Sequence, residues 1–358
     1  MVPTHSASLR LVTDPLKRSA LAQGQLRQAK HALRQAMAAV QRHTIQTASS
    51  SLTEPLRGMV IQHLETGGKQ VRANIALRAA QALGHEPMTL VPIASACELL
   101  HNATLVHDDL QDGDTVRRGQ PAVWVRHGEA QAINVGDAML MLPTLALEKT
   151  DLIPSVRWYI ASAFARRAAE TAGGQSLELA LLGRHWLERS SYLRAALGKS
   201  GPFFALPIEA ASLAAGYEPV RARAIGDAIL GLGALFQVRD DILDLFGDKG
   251  RGQVGNDLRE GKVSALTVTH LERCPEDRDA LVALLESPRE ETTEEQVSSW
   301  SQRFVDSGAL TDACNWAREL VSELRQASAL AVEPGLRSLV TATAEKIAEP
   351  LNDLEMGR

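Results

Sequence analysis

The sequence predicts an all-α protein folded as a single domain, and three observations support this. Alanine and leucine recur throughout the 358 residues, whereas aromatic residues make up only 4%, a balance that favours helix over sheet. Apolar residues return at helical spacing, and there is no alternating strand pattern of useful length. Short breaks containing Gly or Pro separate these stretches, which is typical of one helical bundle with its site among facing helices.

The helices are expected to follow one another over residues 17–358, with residues 1–16 as a flexible N-terminus. The first should end near Thr47, and the second should begin after an N-cap at Thr53 and end at Gly67–Gly68. Later helices are expected at 72–83, 90–110, 129–147, 155–182, 189–197, 203–215 and 219–245. A Gly-rich, charged loop over 247–261 then precedes several shorter helices.

Composition excludes several classes of protein. The net charge is -5, and no basic block with interleaved aromatic residues is found, so we expect no nucleic-acid binding. We find no apolar run long enough to cross a bilayer and no signal-peptide core, so no transmembrane segment is expected. Cys97, Cys274 and Cys314 lie far apart in no metal-ligand spacing, which indicates reduced thiols in a cytoplasmic protein.

The first unusual cluster ends the predicted helix 90–110 and contains Asp108, Asp109 and Asp112. Asp108 and Asp112 are four residues apart, so both carboxylates project from one helix face and repel each other. A divalent cation would remove this repulsion, and hard oxygen ligands suit Mg²⁺. Taken alone, the cluster could equally be a solvated acidic patch.

A second cluster repeats this spacing later in the chain. Asp240, Asp241 and Asp244 follow an apolar helical stretch, Ile229–Leu235, as the first cluster follows its own. Two such clusters on opposed helices could hold one polyphosphate through a small group of Mg²⁺ ions. The repetition strongly favours metal-assisted binding of a phosphate compound.

Basic residues complete the predicted phosphate site. Two of them begin a helix, where backbone N–H groups and the helix dipole also favour an anion, and others pair a cation with a hydroxyl group suited to phosphate oxygens. Together with the Asp clusters they predict two diphosphate sites, one held by metal and one by side chains directly. The basic residues are Lys69, Arg72, Arg117, Arg118, Lys199 and Lys262, and Ser200 supplies the hydroxyl group next to Lys199.

The order and spacing of these motifs resemble the trans-isoprenyl diphosphate synthase (polyprenyl synthetase) family, in particular its geranylgeranyl- and polyprenyl-forming members. The resemblance implies a helical bundle of the isoprenoid synthase type, with a deep central cavity between the Asp clusters and usually a homodimer. It also implies Mg²⁺-dependent, head-to-tail condensation of isopentenyl diphosphate with an allylic diphosphate. The segments that carry it are GGKQVR, ELLHNATLVHDDLQDGDTVRRG, GGQSLEL, GKSG, FQVRDDILD and NDLREGKVS.

Carried over residue by residue, the resemblance implies Mg²⁺ ligands at Asp108, Asp112 and Asp240. The residues implied to position metal-bound water are Asp109, Asp241 and Asp244. Those implied to bind isopentenyl diphosphate are Lys69, Arg72, His101 and Arg118. Those implied to bind the allylic diphosphate are Arg117, Lys199, Gln237 and Lys262, with the Ser200 hydroxyl where the family commonly has Thr. Gln175 matches a glutamine near the reacting carbons.

The chain departs from the family in the loop 248–255, which looks shorter and lacks the phosphate-binding Gly-Lys. Lys249 and Arg251 are the candidates to replace that lysine. The nearest alternative function is a terpene cyclase, but Glu260 occupies the Ser position of the cyclase metal motif that Asn256 would begin. A silent regulatory subunit would typically lose Asp-rich motifs, and this chain keeps both. Consumption of isopentenyl diphosphate distinguishes the synthase from the cyclase.

Product length is predicted from the residues one turn before Asp108. A helical turn spans about 5.4 Å, comparable to one isoprene unit, and bulk at Ala103 or Thr104 would act as a floor for the growing chain. Both side chains are small, so we expect geranylgeranyl diphosphate first and a longer polyprenyl chain second. The alternative is that bulky residues of a neighbouring helix, such as Met139 or Leu142, close the tunnel.

Overall fold

The computed structural model describes residues 15–184, 186–247 and 254–356, and most of them are helical. The α-helices in chain order are α1 (Pro15–Ser51), α2 (Leu56–Glu65), α3 (Val71–Ala82), α4 (Val91–Gln111), α5 (Val123–His127), α6 (Glu129–Leu147), α7 (Pro154–Leu181), α8 (Arg189–Ala214), α9 (Pro219–Asp227), α10 (Gly231–Phe246), α11 (Asn256–Arg259), α12 (Ala265–Arg273), α13 (Arg278–Leu285), α14 (Glu294–Asp306), α15 (Ala309–Arg325) and α16 (Pro334–Met356). Two-residue strands, β1 (Val116–Arg117) and β2 (Gln120–Pro121), pair antiparallel. The predicted all-α fold class is confirmed.

Helices α4 and α8 form the centre of the bundle. Every residue from 91 to 100 on α4 and from 200 to 213 on α8 is buried. Helix α4 packs mainly on α6, while α8 packs on α7, α10 and α3. The C-terminal helices α15 and α16 cover the outer side of α10. The bundle therefore holds the ends of α4 and α10, with their Asp clusters, around α7 and α8.

Several predicted helix bounds agree with the structure, and α6 agrees with the prediction at both ends. The predicted cap of α2 is wrong: its N-cap is Pro55, and Glu54 accepts the Gly58 N–H at 3.2 Å through its side chain. A glutamate side chain can reach one turn ahead, so Glu54 satisfies one of the free N–H groups at the start of the helix. Helix α1 begins at Pro15, and residues 1–14 lie outside the described part of the chain.

The predicted break between 197 and 203 is wrong, because α8 continues through Pro202 and Pro207. Proline in a helix interior costs about 3 kcal/mol, and the burial of this whole stretch offsets that cost. Glycines allow the close packing, because a side chain would not fit there. A Cβ at Gly174 of α7 would lie 2.0 Å from the backbone nitrogen of Lys199. A Cβ at Gly233 of α10 would lie 2.3 Å from the Ser200 carbonyl carbon. Backbone contact on both sides fixes the middle of α8.

The single helix predicted over 219–245 is two helices, α9 and α10, joined by a tight turn. In this turn the Leu232 and Gly233 N–H groups bond to carbonyls three residues earlier, at 3.0 and 2.9 Å. The apolar spacing continues through the turn, so the pattern alone does not mark it. The turn redirects α10 so that Gly233 meets α8, as the close packing there requires.

Two helical stretches among the described residues are long and apolar enough to cross a membrane, Pro87–Gln111 and Glu129–Leu147. The expectation that no apolar run reaches this length was therefore wrong. In the first, 78% of the apolar window is buried in the protein, so its hydropathy reflects its place at the centre of the bundle. In the second, 44% is buried, and α6 leaves Ile133 and Met141 exposed.

Candidate active site

The first Asp cluster forms the last turn of α4, where its three carboxylates have different surroundings. Asp109 is buried and bonds to Arg117 of β1, with Oδ1 and Nε 2.6 Å apart. Asp108 and Asp112 are instead partly exposed and face Lys199 of α8. Burial raises the pKa of Asp108 to about 6; Lys199 lowers this pKa and Asp112 raises it. The predicted pair at four-residue spacing therefore shares one face.

The second Asp cluster lies on α10 and ties it to neighbouring elements. Asp240 accepts a hydrogen bond from Arg239 at 3.0 Å. Asp241 Oδ2 accepts the Tyr192 hydroxyl at 2.6 Å and the Ala265 N–H at 2.7 Å. Asp244 is buried and its Oδ2 accepts the Asp257 N–H at 3.0 Å. These contacts hold the starts of α11 and α12, and so the segment between them that carries Lys262.

Lys262 links the two clusters. Its Nζ lies 2.9 Å from Asp112 Oδ2 and 2.7 Å from Glu260 Oε2. The same lysine lines a cleft together with Asp241, Gln237 and Tyr192. Because Lys262 contacts Asp112 and lines the same cleft as Asp241, the two Asp clusters lie near one cleft. The depth of the predicted central cavity stays a prediction.

Helix α7 lies at the middle of this cleft. Its Glu178 forms an ion pair with Lys199 and accepts a hydrogen bond from Gln237 of α10, with Nε2 and Oε1 3.4 Å apart. One turn earlier, Gln175 donates to Gln111 at the end of α4 at 2.9 Å. Burial lowers the pKa of Lys199, but Glu178 and Asp108 raise it further, so its pKa lies above the ordinary value. Lys199 is therefore a cation at neutral pH, held between carboxylates.

The residues predicted to bind isopentenyl diphosphate gather between α3, α4 and the β1–β2 turn. The Arg72 guanidinium lies 5.4 Å from the Phe204 ring centroid, and its Nε is buried without a hydrogen-bond partner among the described residues. The same holds for His101 Nδ1, and burial together with Arg72 lowers the pKa of His101 well below its ordinary value. Lys69 is exposed at the rim. The unsatisfied Arg72 Nε–H fits an incoming anion, and so does His101 in the tautomer that carries its proton on Nδ1.

Arg118 reaches this group from a hairpin turn. Its φ is 54° and that of Gly119 is 74°, the left-handed pair that a two-residue hairpin favours. Arg118 Nη1 bonds to the Gly67 carbonyl and lies 3.3 Å from Asn102 Oδ1. The strained backbone at Arg118 therefore brings its guanidinium against the loop before α3.

The backbone N–H groups at the start of α3 were expected to favour a bound anion. One of them is already paired, because Glu98 Oε1 accepts the Ala73 N–H at 2.9 Å. That amide is therefore occupied within the protein, and anion binding by the other N–H groups of this turn stays a prediction.

The donor set fits a divalent cation. Asp108, Asp112 and Asp240 offer the hard carboxylate oxygens that such ions prefer. The raised pKa of Asp108 reflects the unfavourable burial of carboxylates next to one another, and a divalent ion would offset that repulsion. The loop residues Lys249 and Arg251 lie outside the described residues, so the replacement of the missing loop lysine stays a prediction.

A second group of potential metal ligands lies outside the cleft. Ligand atoms of His270, Cys274 and Asp277 lie within 4.8 Å of one another, a proximity that cysteine spacing did not predict. Both ring nitrogens of His270 already have partners, Ser307 Oγ and Asp277 Oδ2, each at 2.9 Å. His270 is therefore already satisfied by hydrogen bonds within the protein.

The comparison with known proteins identifies the family. The family model "Polyprenyl synthetase" matches residues 53–302. The chain belongs to the polyprenyl synthetase family. It is 30% identical over 293 residues to the short chain isoprenyl diphosphate synthase of Methanothermobacter thermautotrophicus, a match that covers 80% of this chain and 90% of that protein. It is 33% identical over 214 residues to the geranylgeranyl diphosphate synthase of Methanosarcina mazei, covering 59% and 65%.

Solved structures agree with this membership. A polyprenyl synthase from Caulobacter crescentus, complexed with calcium and isoprenyl diphosphate, is 26% identical and superposes with a TM-score of 0.75 over 89% of this chain and 97% of that chain. The resemblance noted in the sequence is thus confirmed. The chain is a prenyltransferase of the trans-isoprenyl diphosphate synthase family, which elongates prenyl diphosphates and uses divalent metal ions.

Sequence reasoning on this synthase missed three residues that hold its site together: Glu98, Glu178 and Tyr192. Glu178 lies in the GGQSLEL segment, three residues after Gln175, where helical spacing could have placed both on one face. Tyr192 precedes Lys199 by seven residues, two turns along the same face of α8. Glu98 gave no local signal, because its partner Ala73 is 25 residues away in the chain.

At the level predicted to set product length, Ala103 and Thr104 have different surroundings. Ala103 is fully buried in the core. Thr104 is partly exposed, and its hydroxyl bonds to the His101 carbonyl at 2.9 Å. Met139 and Leu142 of α6 are fully buried on the helix that packs most closely on α4. Of the two predicted positions, Thr104 is the one with open space beside it.

Proposed function

We propose that this prenyltransferase is a Mg²⁺-dependent synthase that condenses isopentenyl diphosphate head to tail with allylic diphosphates, with geranylgeranyl diphosphate as its main product. One observation carries the proposal: Lys262 bonds to Asp112 and lines the same cleft as Asp241. The carboxylates on α4 and α10 thus border one space together with two cations, Lys199 of α8 and Lys262 just before α12. Such a space suits a metal-bound diphosphate.

In this proposal the allylic diphosphate lies between the Asp clusters. Asp108, Asp112 and Asp240 would hold Mg²⁺, which when bound neutralises the leaving diphosphate. Lys199 and Lys262 stabilise the charge that develops as the C–O bond ionises, and electrostatic stabilisation of this kind is usually the largest catalytic term. Gln237 of α10 donates a hydrogen bond to a diphosphate oxygen. Asp109, Asp241 and Asp244 orient the surrounding elements and metal-bound water.

The second substrate occupies the neighbouring basic subsite. Lys69, Arg72, His101 and Arg118 bind its diphosphate and hold the isopentenyl double bond next to the allylic carbon, which lowers the entropic barrier to attack. Apolar walls from α4 and α8 exclude water that would quench the allylic cation. The released diphosphate takes the proton that is lost, since no side chain in the cleft stands out as a base.

Product length rests on Thr104, which is a small residue one turn deeper than Asp108. The small Thr104 side chain leaves room for the growing chain, whereas an aromatic ring at this position would block it. The residue therefore favours a product of four isoprene units over one of three. A longer polyprenyl product is the second expectation.

We also propose that the enzyme is a homodimer. Large apolar side chains are exposed on α6 and at the start of α7, with Met141 64% and Trp158 70% exposed. Exposed apolar surface of this kind typically marks an interface. Light scattering should give twice the mass of the chain, and Met141→Glu with Trp158→Glu should give the monomer. The cytoplasmic location stays a prediction.

The decisive experiment offers the enzyme isopentenyl diphosphate with dimethylallyl, geranyl or farnesyl diphosphate and analyses the products by mass spectrometry. We expect isopentenyl diphosphate to be consumed and a C20 diphosphate to accumulate. Conversion of an allylic diphosphate alone into a hydrocarbon would contradict the synthase proposal and favour a cyclase. A dominant C15 or C10 product would contradict only the assignment of product length.

A further inference from the structure

Glu98 is a buried carboxyl group beneath the start of α3. Its side chain is 5% exposed, and Oε1 accepts the N–H of Ala73, the third residue of α3, at 2.9 Å. Burial raises its pKa, while the hydrogen bond from Ala73 and the charges of Arg72 and Arg118 lower it. A carboxyl group at a helix N-terminus, accepting an N–H from the first turn, acts as an N-cap supplied by another helix.

Helix α3 needs such a cap because its own N-cap residue does not provide one. Gln70 makes no side-chain cap hydrogen bond and has φ 46° and ψ 45°, whereas an ordinary N-cap residue has extended backbone angles. Its amide group instead donates to Gln41 of α1 at 2.5 Å. The start of α3 is therefore satisfied from α4, 25 residues away in sequence.

The segment held by this contact carries two of the proposed diphosphate ligands. Gly67, Gly68 and Gln70 all have positive φ, at 76°, 148° and 46°, and Lys69 lies among them. A non-glycine residue in the left-handed region persists only where its surroundings fix it. Arg72 is the second residue of α3 itself. The geometry of Lys69 and Arg72 thus depends on how firmly the start of α3 is held.

Glu98 also connects this segment to the ligands on the other side of the subsite. His101 lies three residues further along α4, on the neighbouring face. Asn102 donates to the Glu98 carbonyl at 2.8 Å, and its Oδ1 lies 3.3 Å from Arg118 Nη1. One turn of α4 therefore contacts α3 and the β1–β2 turn, and its residue His101 completes the subsite.

We propose that Glu98 is a positioning residue for the isopentenyl diphosphate subsite: by capping α3 it fixes Lys69 and Arg72 relative to His101 and Arg118. This inference rests on the proposed function, which assigns isopentenyl diphosphate to these side chains. The cap requires an acceptor oxygen at the right reach, and a negative charge is not essential for it. Glutamine keeps that acceptor, alanine removes it, and aspartate draws it back by one methylene group.

The test compares Glu98→Ala with Glu98→Gln, using steady-state kinetics for each substrate and equilibrium titration with isopentenyl diphosphate. In Glu98→Ala we expect the KM for isopentenyl diphosphate to rise at least tenfold, with the KM for the allylic diphosphate within twofold of wild type. In Glu98→Gln we expect both constants within threefold of wild type. Should the alanine variant not fold, Glu98→Asp takes its place, with the same expected selective rise.

Glu209 provides the matched control. It is equally buried, at 2% exposed, and its ion pairs with Arg166 and Arg167 lie outside the subsite. Glu209→Gln should lower the melting temperature without separating the two KM values. The inference is overturned if Glu98→Ala leaves the KM for isopentenyl diphosphate unchanged, raises both KM values equally, or is matched by Glu98→Gln. A wild-type enzyme that never consumes isopentenyl diphosphate would instead refute the proposed function.

Discussion

Replacing Tyr192 with phenylalanine removes one hydroxyl group from the support of the second Asp cluster. That hydroxyl donates to Asp241 Oδ2 at 2.6 Å, while the ring packs edge-on against Trp316 with centroids 5.5 Å apart. Phenylalanine keeps the ring and its packing, so the change acts on the hydrogen bond alone. We expect the variant to fold normally and to bind divalent metal less tightly.

The size of the effect follows from the remaining contacts of Asp241. A hydrogen bond to a charged group contributes about 1.5–3 kcal/mol, and the Ala265 N–H still holds the same oxygen at 2.7 Å. The loss should therefore lie at the lower end of that range, about 1.5 kcal/mol, which corresponds to a factor of roughly ten in affinity. Changes in residues that support metal ligands typically weaken metal binding by about 10–100-fold.

Two measurements test this expectation. Titration with Mn²⁺, followed by the electron paramagnetic resonance of the free ion, should give a dissociation constant about ten times higher for Tyr192→Phe. The Mg²⁺ dependence of turnover should shift by a similar factor, with kcat recovered at high Mg²⁺. Tyr217→Phe is the control, because Tyr217 bonds to Glu333 and should change neither curve. An unchanged metal affinity in Tyr192→Phe, or a kcat loss that no metal concentration restores, would refute the reasoning.

Three further predictions follow from the site and its surroundings. Asp108→Ala or Asp240→Ala should abolish turnover, and excess EDTA should do the same to the wild type; full activity in EDTA would remove the metal assignment. Thr104→Phe should shorten the main product by at least one isoprene unit in mass spectrometry while Thr104→Ser does not, and identical products would place the floor elsewhere. His63 is buried, and burial with Arg118 lowers its pKa to about 4 from 6.5, so the unfolded chain takes up a proton first as pH falls below 6.5. Between pH 7 and 5 the wild type should lose about 2 kcal/mol of unfolding free energy relative to His63→Gln in urea denaturation, and equal losses would contradict this.

The sequence determined the features that depend on nearby residues. Helical spacing and short breaks predicted the all-α class and both ends of α6. The four-residue spacing of Asp108 and Asp112 placed both on one face, because a helix returns to the same side after that interval. The order of the motifs also indicated the family before any fold was known.

The tertiary structure decided the features that depend on residues far apart in the chain. Helix α8 passes through Pro202 and Pro207 because its burial outweighs their local cost, and no local pattern contains that information. Glu98 caps a helix 25 residues away, and Tyr192 holds Asp241 across 49 residues. Lys262 meets Asp112 across 150 residues. Each of these contacts requires the chain to be folded first, since local periodicity specifies which face a side chain occupies and packing alone specifies what it meets there.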